Sequence, residues 1–108
     1  MFKVFYLSNC TYSKKTINTI TKLKLLGDLI ECDNNKCINF QDVPKNYLTY
    51  PKVLFKTDKK TIFIGGNEEF QNLIILLKNL KKNINYEIEP QKYIKKKDVC
   101  NILIKLTN

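Results

Sequence analysis

Cys10 closes an apolar run, Phe2-Lys3-Val4-Phe5-Tyr6-Leu7, and opens a segment with helical periodicity. The succession strand, short turn, cysteine, helix puts a sulfur where the first backbone N–H groups of a helix lack intrahelical partners and favour negative charge. A cysteine held there titrates low and becomes a nucleophile. The tetrad reads Cys10-Thr11-Tyr12-Ser13, with serine where a dithiol centre carries its second cysteine. A serine hydroxyl cannot enter a disulfide, so redox chemistry at this tetrad runs on one protein thiol.

Two further segments have residue types suited to the same chemistry. Thr49-Tyr50-Pro51 stands immediately before a strand. Proline is tolerated at the first residue of a strand and can hold a cis bond there, which frees the preceding backbone to pair with an extended peptide. Gly65-Gly66-Asn67-Glu68 lies between a strand and a helix. Its glycines allow close approach of a ligand, and the helix start is suited to a carboxylate.

In this order and spacing, the three motifs resemble the glutaredoxin family of the thioredoxin superfamily, in its monothiol Cys-x-x-Ser form. The resemblance runs from Phe2 to about Leu80, some three quarters of the chain. It implies a thioredoxin-like α/β fold and a groove for glutathione. Cys10 matches the nucleophile, with Thr11, Tyr12 and Ser13 as its support. The backbone of Tyr50, before a cis-Pro51, would bond the cysteinyl part of glutathione. Gly66, Asn67 and Glu68 would hold the γ-glutamyl end. Three positions depart from the family pattern: Leu7 stands where many relatives have lysine, Thr11 where proline is common, and Glu68 where many have aspartate. Lys14, Lys36 and Gln41 are the residues that could compensate for Leu7, and Thr11 could donate a hydrogen bond to the sulfur.

The implied reaction is the monothiol route. Cys10 thiolate attacks the glutathionyl sulfur of a mixed disulfide, releases the reduced thiol and retains the glutathione; a second glutathione then takes it off as oxidised glutathione. The expected partners are glutathione, as co-substrate, and glutathionylated proteins, and the expected form is a monomer. Two other readings belong to different classes. One is a carrier of a [2Fe–2S] cluster ligated by Cys10 and glutathione; the other is a redox-inactive thioredoxin-like interaction module that keeps Cys10 as a core residue.

Four cysteines occur, Cys10, Cys32, Cys37 and Cys100. A chain with this much periodic apolar sequence needs no staples, so reduced thiols are expected. The Cys32–Cys37 spacing suits a disulfide or half a metal site, but without histidine a zinc site would need all four cysteines, so no metal is expected. Cys100 is a possible auxiliary thiol if the C-terminal segment folds under the tetrad.

The elements that must position these groups follow from periodicity. Phe2–Leu7 reads as a strand and Tyr12–Leu26 as a helix ended by Gly27. Leu29–Cys32 is a second strand, and 34–47 a short helix interrupted near Pro44. Lys52–Lys56 and Thr61–Ile64 are strands of a hairpin through Thr57–Lys60. A helix capped by Asn67 carries Phe70, Leu73, Ile74, Leu77 and Leu80 on one face. This β-α-β-α-β-β-α order predicts a four-stranded mixed sheet with helices on both faces, spanning residues 1–82. Residues 83–108 form an extension, broken at Pro90, with a last helix capped by Asp98 and docked through Val99, Ile102, Leu103 and Leu106.

The 108 residues suit one domain with a real core. The formal charge is +9, and every basic residue is lysine. With no arginine, and lysines scattered except at Lys95-Lys96-Lys97, the charge reads as a solvated surface, and no nucleic-acid partner is expected. No stretch approaches a membrane span, and the first residues read as a strand instead of a signal peptide. A cytoplasmic location is expected.

Overall fold

Four short strands build the sheet, β-branched and aromatic residues filling three of them. The computed structural model of the chain describes residues 1–82 and 87–107. Its elements are β1 (Phe2–Tyr6), α1 (Thr11–Lys22), β2 (Gly27–Glu31), β3 (Lys52–Lys56), β4 (Thr61–Gly65), α2 (Asn67–Lys81) and α3 (Lys96–Thr107). The sheet order is β2-β1-β3-β4. β1 and β2 are parallel, because a helix returns the chain between them, while β3 is antiparallel to both β1 and β4. The result is a four-stranded mixed sheet with three helices, the α/β class that the order of apolar segments predicts.

One sheet face carries the core. Phe2 and Val4 of β1 stand opposite Phe55 and Val53 of β3, with Ile62 and Ile64 beside them on β4. Onto this face pack Ile20 of α1, Phe70, Leu73, Ile74 and Leu77 of α2, and Val99, Ile102 and Leu103 of α3. The Phe2 ring meets Phe55 and Phe70 edge-on at 5.0 and 5.3 Å. Each such buried side chain stabilises the fold by about 1.5–3 kcal/mol.

The three helices share this one cluster, which corrects the expectation of helices on both faces. The helix expected over 34–47 does not form. Only a 3₁₀ turn, Asp33–Asn35, stands there, and Asn34, Asn35, Asn39 and Asp42 all have positive φ, which no α-helix tolerates in sequence. The irregular segment instead covers the second face through aromatic edges, Phe40 on Phe5 and Tyr47 on Phe63, each at 5.0 Å.

Element ends also shift. α1 stops at Lys22 because Lys24 turns left-handed (φ 54), and Gly27 begins β2 instead of ending the helix. Gly66, not Asn67, is the N-cap of α2, and the Glu69 carboxylate accepts the Gly66 N–H at 2.8 Å. α3 begins at Lys96, so Asp98 lies in its first turn instead of capping it. There Asp98 is paired with Lys60 of the hairpin turn at 2.7 Å.

The C-terminal extension passes round the β4 edge. Tyr93 packs on Phe63 and Tyr47 at 5.1 and 5.7 Å, while α3 joins the core on the other face. The junction expected at residue 83 lies outside the described residues. Because Ile102 is fully buried, Ile102→Ala is expected to lower the stability of the whole chain by roughly 3 kcal/mol. Urea unfolding followed by circular dichroism checks this: a single shifted transition is expected, and a wild-type midpoint would show α3 to be an ornament. Among the described residues no helix is long and apolar enough to cross a membrane.

Candidate active site

Cys10 is the N-cap of α1, in extended conformation (φ −90°, ψ 122°), and its carbonyl accepts the Lys14 N–H at 3.0 Å. The turn leading into it is tight: the Cys10 N–H donates to Leu7 O at 3.2 Å. Ser13, fully buried one turn into the helix, accepts the Leu7 N–H on its hydroxyl oxygen at 3.3 Å. Partial burial pushes the Cys10 thiol up, but hydrogen bonds outweigh it and the thiol titrates below its ordinary value. These bonds come from the Ser13 N–H, the Ser13 hydroxyl and the Tyr12 N–H. The lowering therefore arises from the first turn of α1, with no cation among its causes. Thr11 and Tyr12 are exposed, and Thr11 is not one of the donors to the sulfur.

Ser13 is thus more than the missing second cysteine. Ser13→Ala removes one of the bonds that lower the Cys10 thiol and leaves the Leu7 N–H without its partner. The expected result is a rise in the Cys10 pKa, read as an iodoacetamide alkylation profile displaced to higher pH. An unmoved profile would assign the shift to the backbone alone.

The other two motifs meet this turn. The Tyr50–Pro51 peptide is cis, and the Cys10 sulfur lies 3.7 Å from the Tyr50 carbonyl oxygen. Pro51 is in turn against Gly66: a Cβ on Gly66 would lie 3.5 Å from Pro51 O and would collide with the Tyr47 hydroxyl. The Tyr47 hydroxyl, not Pro51, is what a side chain at this position would displace. Asn67 then ties the start of α2 to α1, accepting the Thr16 hydroxyl at 3.0 Å and the Gln71 amide at 3.1 Å on its side-chain oxygen. Cys10, Tyr50, Pro51, Gly66 and Asn67 are therefore contiguous through these contacts. The Gly66 N–H is taken by Glu69, which leaves the Asn67 and Glu68 N–H groups at the helix start.

Glu68 is exposed and lines a different cavity, of about 500 Å³, between α2 and residues 89–92. A cavity of about 520 Å³ opens beside the sulfur, lined by Leu7, Asn9, Cys10, Asp33 and Asn34. Of the residues that could replace a lysine at Leu7, Lys36 pairs with Glu31 at 3.9 Å on the surface, and Gln41 lines the second sheet face. Lys14 is an exposed residue of α1. Cys100 sits in α3 beside the hairpin turn, at the far end of β3 from Pro51, so the structure does not bring it to Cys10.

Three features were not settled by residue types. Cys32 and Cys37 form a disulfide, with Cα atoms 5.0 Å apart, in place of the expected reduced thiols. The tight turn at 33–35 folds the five-residue separation back on itself and makes that geometry possible. Asp33, not a cation, shares the cavity with Cys10, and its carboxylate accepts both the N–H (2.9 Å) and the hydroxyl of Ser8. Those bonds hold its carboxyl below the usual range.

The third feature is Lys52, almost completely buried. Its ammonium donates to Tyr47 O at 2.9 Å and Thr49 O at 3.1 Å. It lies 4.5 Å from the centre of the Tyr50 ring, with Phe40 and Tyr47 also against it. The only sequence signal was its place immediately after Pro51. No protein-family model matches the chain, and no curated protein does either.

Proposed function

We propose that the chain is a glutathione-dependent thiol–disulfide oxidoreductase of thioredoxin-like fold, reducing glutathione mixed disulfides through Cys10 alone. The observation that carries this reading is the Cys10 sulfur on a helix N-cap, 3.7 Å from the carbonyl before a cis-proline. A nucleophilic sulfur and an extended-backbone acceptor at that separation suit a disulfide-bonded peptide laid across the turn. The sheet order β2-β1-β3-β4, with its parallel and antiparallel pairs, supports the fold. The free N–H groups at the start of α2 supply donors for a carboxylate beside Pro51.

In the reaction, Cys10 thiolate attacks the glutathionyl sulfur of R–S–S–G, the S–S bond breaks and the R–S⁻ thiolate leaves. Cys10 is now in disulfide linkage to glutathione. A second glutathione thiolate attacks the glutathionyl sulfur of that linkage, oxidised glutathione departs and Cys10 thiolate is regenerated. Ser13 has no part as a sulfur; it keeps the thiolate hydrogen-bonded. A cytoplasmic setting would supply the reduced glutathione.

The test is incubation with a glutathionylated small thiol followed by intact and peptide mass analysis. Glutathione added to Cys10 and removed by further reduced glutathione, with catalytic turnover, is the expected result. Turnover without an adduct on Cys10, or no adduct at any glutathione concentration, would overturn the reading.

A further inference from the structure

Asp33 and Asn34, which wall the cavity beside the Cys10 sulfur, lie inside the ring closed by the Cys32–Cys37 disulfide. Two links carry that ring to Cys10. Cys32 is bound to β1, its N–H donating to Tyr6 O at 2.8 Å. Asp33 holds Ser8 by its backbone N–H and its hydroxyl, two residues before Cys10. Inside the ring, Asn34 and Asn35 are consecutive left-handed residues (φ 57° and 58°). Asparagine tolerates that conformation singly; two in succession mark a turn that its surroundings must hold closed.

The pair also has the features of a bond that can open. Cys32 is buried, but Cys37 is only half-buried and lines a groove of about 320 Å³ with Phe5 and Phe40, through which a small thiol reaches it. Each sulfur has a backbone carbonyl oxygen ready to accept an S–H: Ile30 O lies 3.7 Å from Cys32 Sγ, and Glu31 O lies 3.5 Å from Cys37 Sγ. Both carbonyls can take a thiol proton once the bond has opened and the sulfurs have moved apart.

We propose that Cys32–Cys37 is a reversible redox site whose closed form fixes the wall and turn around Cys10, so that small thiol reductants regulate Cys10 reactivity. In the opening step, a reductant thiolate attacks the Cys37 sulfur, the Cys32–Cys37 bond breaks and Cys32 leaves as a thiolate that takes up a proton. A second thiol, on the same reductant or another, displaces the first from Cys37 as a disulfide. Two electrons and two protons enter the pair, and the reductant is oxidised by the same amount. With the ring open, the 33–36 turn relaxes, Asp33 releases Ser8, and the turn that presents Cys10 to the α1 N–H groups loosens. Asp33 is a positioning residue here, acting through Ser8.

The test does not use glutathione, so it stands or falls separately from the proposed reaction. The wild-type chain is equilibrated in reduced and oxidised dithiothreitol mixtures, and Cys10 alkylation by iodoacetamide is followed against pH by peptide mass mapping. The expected result is that Cys32 and Cys37 interconvert between dithiol and disulfide, and that Cys10 reacts about threefold more slowly near neutral pH in the dithiol form. The double variant Cys32→Ser, Cys37→Ser should match the slow form. Asp33→Ala should be slow in both redox states. An identical Cys10 pH profile in the two wild-type states, or a pair that stays oxidised in every mixture, would overturn the proposal. The wild-type comparison needs no variant to fold. A disulfide that only braces the fold would alter thermal stability without moving the Cys10 profile.

Discussion

Cys10→Ser is expected to abolish glutathione mixed-disulfide turnover, leaving the rate at that of glutathione alone, while the circular dichroism spectrum and unfolding midpoint stay near wild type. The size of the effect follows from the site. Every bond made and broken in the proposed reaction involves this sulfur, and Ser13, the neighbouring residue of the tetrad, has an oxygen that cannot enter a disulfide. Serine at the N-cap is a good helix cap, so little stability should be lost. Steady-state assay of the purified variant beside wild type reads the result. Residual turnover above background would transfer the chemistry to another thiol, and peptide mapping would identify which. Because the first-turn donors hold the Cys10 thiol below its ordinary value, the wild-type rate should rise with pH and level off below the range where a free cysteine titrates.

Lys52→Met is expected to destabilise the chain by about 2 kcal/mol, a figure set by two hydrogen bonds from a charged group less the water that reaches their carbonyls once freed. Methionine keeps the unbranched stem among Phe40, Tyr47 and Tyr50 but leaves Tyr47 O and Thr49 O without their donor. Segment 36–50 has no α-helix of its own, so this ammonium is one of the few ties between it and β3, and Tyr50, at its end, loses its place beside the Cys10 sulfur. Slower Cys10 chemistry should accompany the loss of stability. Burial holds the Lys52 ammonium below the ordinary lysine range. Between that lowered value and the ordinary one, the unfolded chain binds more protons than the folded chain. Wild type should therefore gain stability relative to Lys52→Met as pH rises through that alkaline window. Urea unfolding of both proteins at neutral and alkaline pH reads both effects. A variant as stable as wild type at neutral pH would mean that desolvation of the ammonium cancels its hydrogen bonds.

How much of this was legible beforehand depended on how local each cause is. The strands with alternating or continuous apolar residues, the hairpin through Thr57–Lys60 and the α2 stripe were readable because period and turn chemistry lie within a few residues. So were the cysteine at a helix start, the cis-proline position and the glycine pair, each a short-range backbone requirement. Segment 34–47 was not. Its few apolar residues, Ile38, Phe40, Val43 and Tyr47, suit a loose helix on paper, yet Ile38 is exposed, and Phe40 and Tyr47 find their partners Phe5, Phe63 and Lys52 on other elements. The Gly66 cap was missed for a similar reason: Asn67 is the better capping residue by type, but its side chain is engaged by Thr16 across the helix pair.

The sequence by itself determined where the candidate thiol stands. It puts Cys10 at a strand–turn–helix junction with Ser13 one turn on, residues within four positions of each other. What surrounds that thiol only the tertiary structure decided. Tyr50 comes to the sulfur from 40 residues away. Asp33 arrives because β2 runs parallel to β1 and ends beside Ser8, and Cys32 meets Cys37 because the 33–35 turn folds back. Such contacts depend on sheet order and loop path, and neither is written in any single stretch of the chain.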